Sequence, residues 1–176
     1  MKSTVFTIPG LSNSGAQHWQ TYWENEYGFV RINQKDWETP ECTDWILTID
    51  KNLEPFPPNK IILVAHSLGC CAVIHWAKRY HRIIKGALLV APSDVEGSNY
   101  PPGTKDFNPM PLYRLPFPSI VIASTNDEYV TIERAEYFAA SWGSKFVNTG
   151  ACGHINSASG LGSWPSGFEW LLRLDS

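Results

Sequence analysis

The sequence is poor in the features that mark secreted, membrane-bound and nucleic-acid-binding proteins. No apolar run approaches the roughly 20 residues that a helix needs to cross a bilayer. The run from Val5 to Ile8 ends at Pro9-Gly10 and is too short for a signal-peptide core, so we expect no secretory leader. Lys and Arg form no block, and the formal charge of −3 is too small to predict a nucleic-acid or membrane partner.

Cysteine is also scarce, and its spacing excludes two further classes. The four cysteines match no zinc-ligand pattern, and the adjacent Cys70 and Cys71 are unsuited to a disulfide framework. We therefore predict that Cys42, Cys70, Cys71 and Cys152 are all reduced thiols. Reduced thiols favour a cytoplasmic location. The sequence predicts no metal site and no cofactor.

The 176 residues fit one domain of common size, so we expect a single domain over residues 1–176. Short apolar runs alternate with longer amphipathic stretches, which predicts an α/β fold with a mostly parallel sheet and helices on both faces. The predicted strands are 5–8, 29–32, 60–65, 87–90, 120–123 and 145–148. The predicted helices are 16–27, 44–53, 68–80, 132–142 and 168–174.

One segment breaks this alternation. Residues 92–118 contain seven of the 13 prolines and show no clear periodicity. The segment is too short for a separate domain and long for an ordinary loop. It is therefore either a lid or binding loop, or a rigid excursion over the surface.

The clearest chemical signal lies where the strongest predicted strand meets the strongest predicted helix. Ser67 stands in the sequence Ala65-His66-Ser67-Leu68-Gly69, which is the strand–turn–helix setting of a nucleophile elbow. The turn is sharp, so the flanking positions must be small, as Ala65 and Gly69 are; the usual first glycine is replaced by Ala65. The plainer interpretation is that Ser67 only caps the helix. The setting favours Ser67 as a nucleophile.

A serine nucleophile needs a base, and in this fold the chain order is Ser, then Asp or Glu, then His. Of the five histidines, only His154 follows Ser67 by a long interval and lies just past the last predicted strand. His75 and His81 lie on the helix that Ser67 opens. His66 adjoins the serine, so we expect its side chain to point away from the hydroxyl. His154 is therefore the candidate base.

Three carboxylates could orient that base. Asp127 is a short polar residue directly past the strand that ends near Ala123, which makes it the favoured acid. Asp94 follows the preceding strand, where some members of the fold place the acid, and Glu128 is a third option. The residues alone leave all three open.

The remaining parts of the predicted site come from backbone and pocket residues. Two backbone N–H groups should bind the oxyanion: one from Leu68, and one from Leu11 in the loop that contains Gly10. Gly10 would allow the close approach of that loop, although Pro9-Gly10 is also a common plain turn. Four residues near the predicted loops are candidates for the substrate pocket: Ser12, His18, Trp19 and Trp164.

These residues resemble the YdeN-like small serine hydrolases, a group that also includes a human retinoblastoma-binding protein. The resemblance extends over nearly the whole chain, from Ile8 to Trp170. Its anchors are His18-Trp19, His66-Ser67-Leu68-Gly69, residues 126–130, residues 153–156 and the run 159–165. The last run is the most specific, because the generic fold does not demand it.

The resemblance implies a compact α/β-hydrolase fold without a large cap, and a triad of Ser67, Asp127 and His154. It therefore lowers the weight on Asp94. The expected activity is that of a serine hydrolase, an esterase that acts on a small ester or amide through an acyl-enzyme. The alternative is a protein-interaction module on a weakly active or inactive scaffold, since one relative is named for a binding partner.

Overall fold

A six-stranded, fully parallel sheet forms the centre of the protein. The structure is a computed structural model and describes residues 1–176. The order of strands in the sheet is β2-β1-β3-β4-β5-β6, and every neighbouring pair is parallel. The strands are β1 (Thr4–Ile8), β2 (Val30–Arg31), β3 (Ile61–His66), β4 (Gly86–Val90), β5 (Ser119–Ala123) and β6 (Lys145–Asn148).

Five helices cover the two faces of this sheet. They are α1 (Trp19–Tyr27), α2 (Cys42–Leu53), α3 (Leu68–Tyr80), α4 (Ile132–Trp142) and α5 (Pro165–Asp175). Two short 3₁₀ helices, Pro58–Lys60 and Ser157–Ser159, lie in the connections. No helix is long and apolar enough to span a bilayer.

The alternation of side chains along the strands divides the core into two layers. In β3, Leu63 and Ala65 pack in the layer with α2, α3 and α4, whereas Ile62 and Val64 pack in the layer with α1 and α5. Successive strand residues point to opposite faces of the sheet, so a strand with a continuous apolar run is buried on both faces. The predicted compact α/β-hydrolase fold, with helices on both faces and no large cap, is confirmed.

Some predicted boundaries are wrong by two or three residues. The first helix begins at Trp19 rather than at 16, because His18 has an extended backbone (φ −84°, ψ 140°) and its side chain accepts the Gln20 N–H as an N-cap. The last helix begins at Pro165 rather than at 168, with the proline in its first turn. Local capping contacts and backbone geometry determine where these two helices begin. The periodicity of apolar residues contains no information about such contacts.

The proline-rich segment 92–118 is an anchored excursion, and part of it reaches the candidate site. The side chain of Phe107, which lies in this segment, is buried in the same core layer as α2, α3 and α4. Backbone carbonyls of the segment accept hydrogen bonds from side chains of α3 and α4: His75 Nε2 donates to Phe107 O, and Trp142 Nε1 donates to Pro111 O, both at 2.9 Å. The segment that contains the prolines is therefore packed against the layer formed by α2, α3 and α4.

Candidate active site

The loops after five neighbouring strands meet at the carboxyl edge of the sheet. Parallel strands all end at one edge, which is where α/β folds bind their ligands. Residues from these loops surround a cavity of about 420 Å³. They include Leu11 after β1, Ser67 after β3, Ser93 after β4, Tyr129 after β5 and His154 after β6.

Ser67 occupies a strained turn between β3 and α3. Its backbone has φ 57° and ψ −126°, a combination that ordinary residues rarely adopt. Its side chain makes no capping hydrogen bond to the helix, so the plain N-cap interpretation does not describe it. The turn instead leaves the hydroxyl free to contact the neighbouring loops, as the nucleophile elbow predicts.

Two glycines allow the β1 loop to lie against this turn. A Cβ at Gly69 would lie 2.2 Å from the carbonyl oxygen of Ile8, and one at Gly10 would lie 2.6 Å from the Cβ of Ser67. Both distances are far below contact range. No larger residue fits either position without moving the turn or the loop.

The Ser67 hydroxyl is hydrogen-bonded to His154. The distance between Ser67 Oγ and His154 Nε2 is 2.8 Å. On the other side of the ring, His154 Nδ1 lies 2.8 Å from Asp127 Oδ2 and 2.9 Å from Oδ1. The Asp127 side chain is fully buried and also accepts the N–H of Tyr129 at 2.9 Å. The structure thus brings the three residues into one series of hydrogen bonds.

The other two candidate acids lie elsewhere. Asp94 is paired with Arg134, whose Nε lies 3.1 Å from its Oδ2. Glu128 is exposed and makes no side-chain hydrogen bond to the histidine. Only Asp127 is placed to hold the ring of His154.

The loops that carry the acid and the histidine are bonded directly to each other. Ser124 Oγ accepts the N–H of Cys152, and Asn126 Oδ1 accepts the N–H of Gly153. Ser124 Oγ also donates to Asn126 Oδ1, so the two side chains form one brace. Because this brace ends one residue before His154, it fixes His154 relative to the loop that carries Asp127.

Two backbone N–H groups beside Ser67 have no partner within the protein. The N–H groups of Leu11 and Leu68 donate no hydrogen bond, whereas the neighbouring Ser12 N–H is taken by Trp37 O at 2.8 Å. Leu68 is also the first residue of α3, where the helix leaves its N–H groups free. These are the two donors expected from the sequence for an oxyanion.

His66 lines the cavity, and its side chain bonds to the His154 loop, with no hydrogen bond to the Ser67 hydroxyl, from which we expected it to point away. Its Nε2 donates to the backbone oxygen of His154 at 2.9 Å, and the two rings lie 4.9 Å apart. Burial, reinforced by the nearby His18 and His154, lowers the pKa of His66 well below its usual value. The neutral His66 therefore holds the loop of His154 in place through this hydrogen bond.

The four predicted pocket residues divide into two pairs. Ser12 and His18 line the cavity, as expected. Trp19 and Trp164 do not, and this part of the prediction is wrong. Both indoles are buried and pack on each other at 5.1 Å beneath the site. Trp19 Nε1 donates to Ile155 O at 2.8 Å, so it holds the histidine loop from below.

Sequence reasoning assigned only part of the cavity wall, and Ser93 and Tyr100 are among the residues that it did not assign. Ser93 Oγ lies 2.9 Å from Ser67 Oγ, and Tyr100 lines the same cavity from the proline-rich segment. Ser93 follows the end of β4 by three residues, so the strand-end rule that found Asp127 could also have found it. Nothing in the sequence around Tyr100 distinguishes it from a surface tyrosine.

Comparison with known proteins gives matches over almost the full chain. A family model described as serine hydrolase matches residues 5–173. A solved YdeN-like hydrolase from Pectobacterium atrosepticum is 31% identical, with 98% of this chain and 90% of that chain covered and a TM-score of 0.87. No curated protein matches the chain significantly.

More distant solved structures share the fold. The ydeN gene product of B. subtilis is 20% identical, with 98% of each chain covered and a TM-score of 0.74. Est1E from Butyrivibrio proteoclasticus, solved with ferulic acid bound, is 16% identical, covers 98% of this chain and 89% of that chain, and has a TM-score of 0.70.

Proposed function

The chain belongs to the serine hydrolase family, as the resemblance predicted, and we propose that it is a carboxylesterase of small esters. The observation that carries this proposal is the position of His154. Its Nε2 lies 2.8 Å from Ser67 Oγ while its Nδ1 lies 2.8 Å from the buried carboxylate of Asp127. A histidine held in this way can take the serine proton and return it to a leaving group.

In the first half of the proposed reaction, Ser67 Oγ attacks the ester carbonyl as its proton passes to His154 Nε2. Asp127 accepts the Nδ1–H, which keeps the ring in the required tautomer and stabilises the imidazolium that forms. The tetrahedral intermediate then breaks its bond to the alcohol oxygen. His154 gives its proton to that oxygen, and the acyl group stays on Ser67.

In the second half, water replaces the alcohol. His154 takes a proton from the water as the water oxygen attacks the acyl carbonyl. The second intermediate releases the carboxylic acid, and the proton returns to Ser67. The net reaction adds one water to one ester and changes no oxidation state. In the proposed mechanism His154 makes the proton transfers and backbone N–H groups stabilise the negative charge, so no step calls on a metal or an organic cofactor.

The free N–H groups of Leu11 and Leu68 would bind the negative oxygen in both intermediates. They support the proposal because hydrogen-bond donors that are already in place stabilise developing charge most effectively. Ser93 adds a third interaction. If Ser67 gives its only proton to His154, the hydroxyl of Ser93 must be the donor in the contact between the two serines.

A fluorophosphonate probe tests the proposal at Ser67. We expect the probe to label the intact protein, and we expect Ser67→Ala to abolish both labelling and hydrolysis of 4-nitrophenyl acetate. Ser141→Ala, which changes a serine of α4 outside the cavity, is the matched control and should behave as the intact protein does. An inactive scaffold, the alternative drawn from the sequence, predicts no labelling of the folded protein.

We also propose a cytoplasmic location, which the state of the cysteines supports. None of the four cysteines is paired. Burial raises the pKa of Cys42 to about 12, so this thiol stays protonated. Fractionation of the source cells, followed by detection of the protein, tests this proposal.

A further inference from the structure

The loop after β1, which carries one of the two proposed oxyanion donors, has an unfavourable backbone conformation. Leu11 supplies the free N–H, and the next two residues, Ser12 and Asn13, have left-handed φ angles of 60° and 64°. Asparagine tolerates this conformation, whereas serine adopts it rarely. A loop of this kind keeps its shape only when contacts from the surrounding structure hold it.

A single turn connects these left-handed residues to the Leu11 N–H. The Asn13 N–H donates to Gly10 O at 3.2 Å, so Leu11 lies inside a four-residue turn that this bond closes. Leu11 and Asn13 both line the cavity that contains Ser67. A displacement of Asn13 would therefore move the whole turn and change the direction of the Leu11 N–H.

Arg31 holds the end of this turn from outside the cavity. It is the last residue of β2 and does not line the cavity. Its Nη1 donates to Asn13 Oδ1 at 3.1 Å and to Ser14 O at 2.8 Å. Asn13 Oδ1 also accepts the Ser14 N–H at 2.8 Å, so one amide oxygen joins the guanidinium to the backbone of the loop.

The other N–H groups of the guanidinium fix Arg31 to α1. Nε donates to Glu24 Oε1 at 3.0 Å, and Nη2 donates to Glu24 Oε2 at 2.7 Å and to Thr21 Oγ1 at 2.6 Å. The Arg31 and Glu24 side chains are only 17% and 14% exposed, so salt screens this ion pair weakly. With the two bonds to the loop, all five N–H groups of the guanidinium have an acceptor. Arg31 thus joins the loop after β1 to a helix of the core.

The planar shape of the guanidinium explains why arginine suits this position and lysine does not. Its rigid fork presents N–H groups in two directions at once, one towards the loop and one towards the carboxylate of Glu24. A lysine ammonium is a single point charge that can keep the ion pair, but it lacks the second arm that reaches Asn13 and Ser14. Arg31→Lys therefore separates the charge of Arg31 from its contacts with the loop.

We propose that Arg31 is a positioning residue that keeps the Leu11 N–H directed at the oxyanion, through its contacts with the loop after β1. This inference rests on the proposed esterase function. Arg31 does not line the cavity, so it acts on the reaction only through the loop. Loss of a whole oxyanion donor lowers turnover about 10²- to 10³-fold. The loop keeps its other backbone contacts when those of Arg31 are removed, so we expect a smaller loss of about tenfold.

Arg31→Lys and Arg82→Lys form a matched pair of variants. Arg82 makes a similar two-point ion pair with Asp50, with N–O distances of 2.9 and 3.0 Å, and does not line the cavity. Active sites are counted with a fluorophosphonate probe, and kcat/KM for 4-nitrophenyl acetate is expressed per labelled site. We expect Arg31→Lys to lower this value about tenfold and Arg82→Lys to keep it within about twofold.

An inhibitor separates positioning from a merely structural role. Ser67 Oγ adds to the carbonyl carbon of 1,1,1-trifluoro-2-butanone, the serine proton passes to His154, and the ketone oxygen becomes an anion in the oxyanion site. We expect Arg31→Lys to raise the Ki of this ketone about as much as it lowers kcat/KM, because both depend on the Leu11 N–H. If Arg31 only stabilised the fold, the variant would lower the number of labelled sites and leave both values per site unchanged. That result would overturn the proposal.

Asn13→Gly tests whether the effect of Arg31 passes through the loop. Glycine adopts the left-handed conformation readily and removes the Oδ1 acceptor. Because Arg31 acts partly through that atom, the losses of kcat/KM in Asn13→Gly and Arg31→Lys should be less than additive in the double variant. Fully additive losses would show that the two residues act independently, which would overturn the proposed route through the loop.

The backbone amide signal of Leu11 in ¹⁵N-labelled protein separates this inference from the proposed function. We expect this signal to shift in Arg31→Lys and to stay in place in Arg82→Lys. The same shift in a protein that neither hydrolyses esters nor reacts with the probe would refute the esterase and retain the link from Arg31 to the loop. Hydrolysis by the unmodified protein, with an unchanged kcat/KM per site in Arg31→Lys, would retain the esterase and refute the role of Arg31.

Discussion

Acid should destabilise this protein because it buries uncharged histidines, and His18 allows the effect to be worked out. Burial, together with the nearby Arg31 and His154, lowers the pKa of His18 from 6.5 to about 3 in the folded state. The unfolded chain therefore binds more protons than the folded chain between these two values. The contribution of His18 to stability is complete above pH 6.5 and is lost as the pH falls.

The size of this change in the free energy of unfolding at pH 5.0 is set mainly by the pKa of the unfolded chain. At pH 5.0 the ring is protonated in the unfolded chain and neutral in the folded one, which lowers the free energy of unfolding by about 2 kcal/mol relative to pH 7.5. Carboxylates add little in this range, because their unfolded pKa values lie near 4. The lowered pKa of His66 acts in the same direction.

Urea unfolding at pH 7.5 and pH 5.0 measures the effect. We expect His18→Asn, which retains a capping side chain for α1, to lose about 2 kcal/mol less than the unmodified protein on acidification. His81→Asn is the matched control: His81 is exposed at the end of α3 with φ 52°, a conformation that asparagine tolerates, so its pH dependence should be unchanged. An equal loss in all three proteins would refute the reasoning.

Three further substitutions test the geometry of the site. Asp127→Asn should lower kcat about 10⁴-fold by favouring the wrong tautomer of the base, whereas Asp94→Asn, which breaks only a partly exposed ion pair, should change kcat less than threefold. Gly10→Ala should lower kcat about 10²- to 10³-fold, because its new Cβ would displace the β1 loop and one oxyanion donor. Ser93→Ala should lower kcat about three- to tenfold through the lost hydrogen bond to Ser67, and an unchanged kcat would exclude that contact from the reaction.

The order of elements could be read from the sequence because the four central strands, β1, β3, β4 and β5, are buried on both faces. The run from Ile61 to Val64 is fully buried in β3, and its continuous apolar character is what a two-sided strand requires. The predicted ends of the helices were less accurate than their order. The start of α1 depends on the capping bond from His18, which is a contact between two particular groups and leaves no mark on the apolar periodicity.

The alignment of Ser67, Asp127 and His154 was accessible from the sequence for a similar reason. Ser67 follows β3 directly, and Asp127 and His154 lie in the loops after β5 and β6. Parallel strands bring the loops at their carboxyl ends to one edge of the sheet. The residues that were missed or misplaced act across the loops. Ser93 meets Ser67 only because β4 lies beside β3, and His66 reaches His154 only because the loop after β6 folds back over β3.

The sequence by itself determined the position of Ser67, since the apolar strand, the small flanking residues and the following helix are all local. Chain order added His154 and favoured Asp127. Only the tertiary structure decided which donors are left unpaired around the cavity, and that two tryptophans expected in its wall lie beneath it. The local pattern of apolar and polar residues indicates whether a residue is buried. The hydrogen-bond partners of a buried residue such as His18 depend on how distant loops pack.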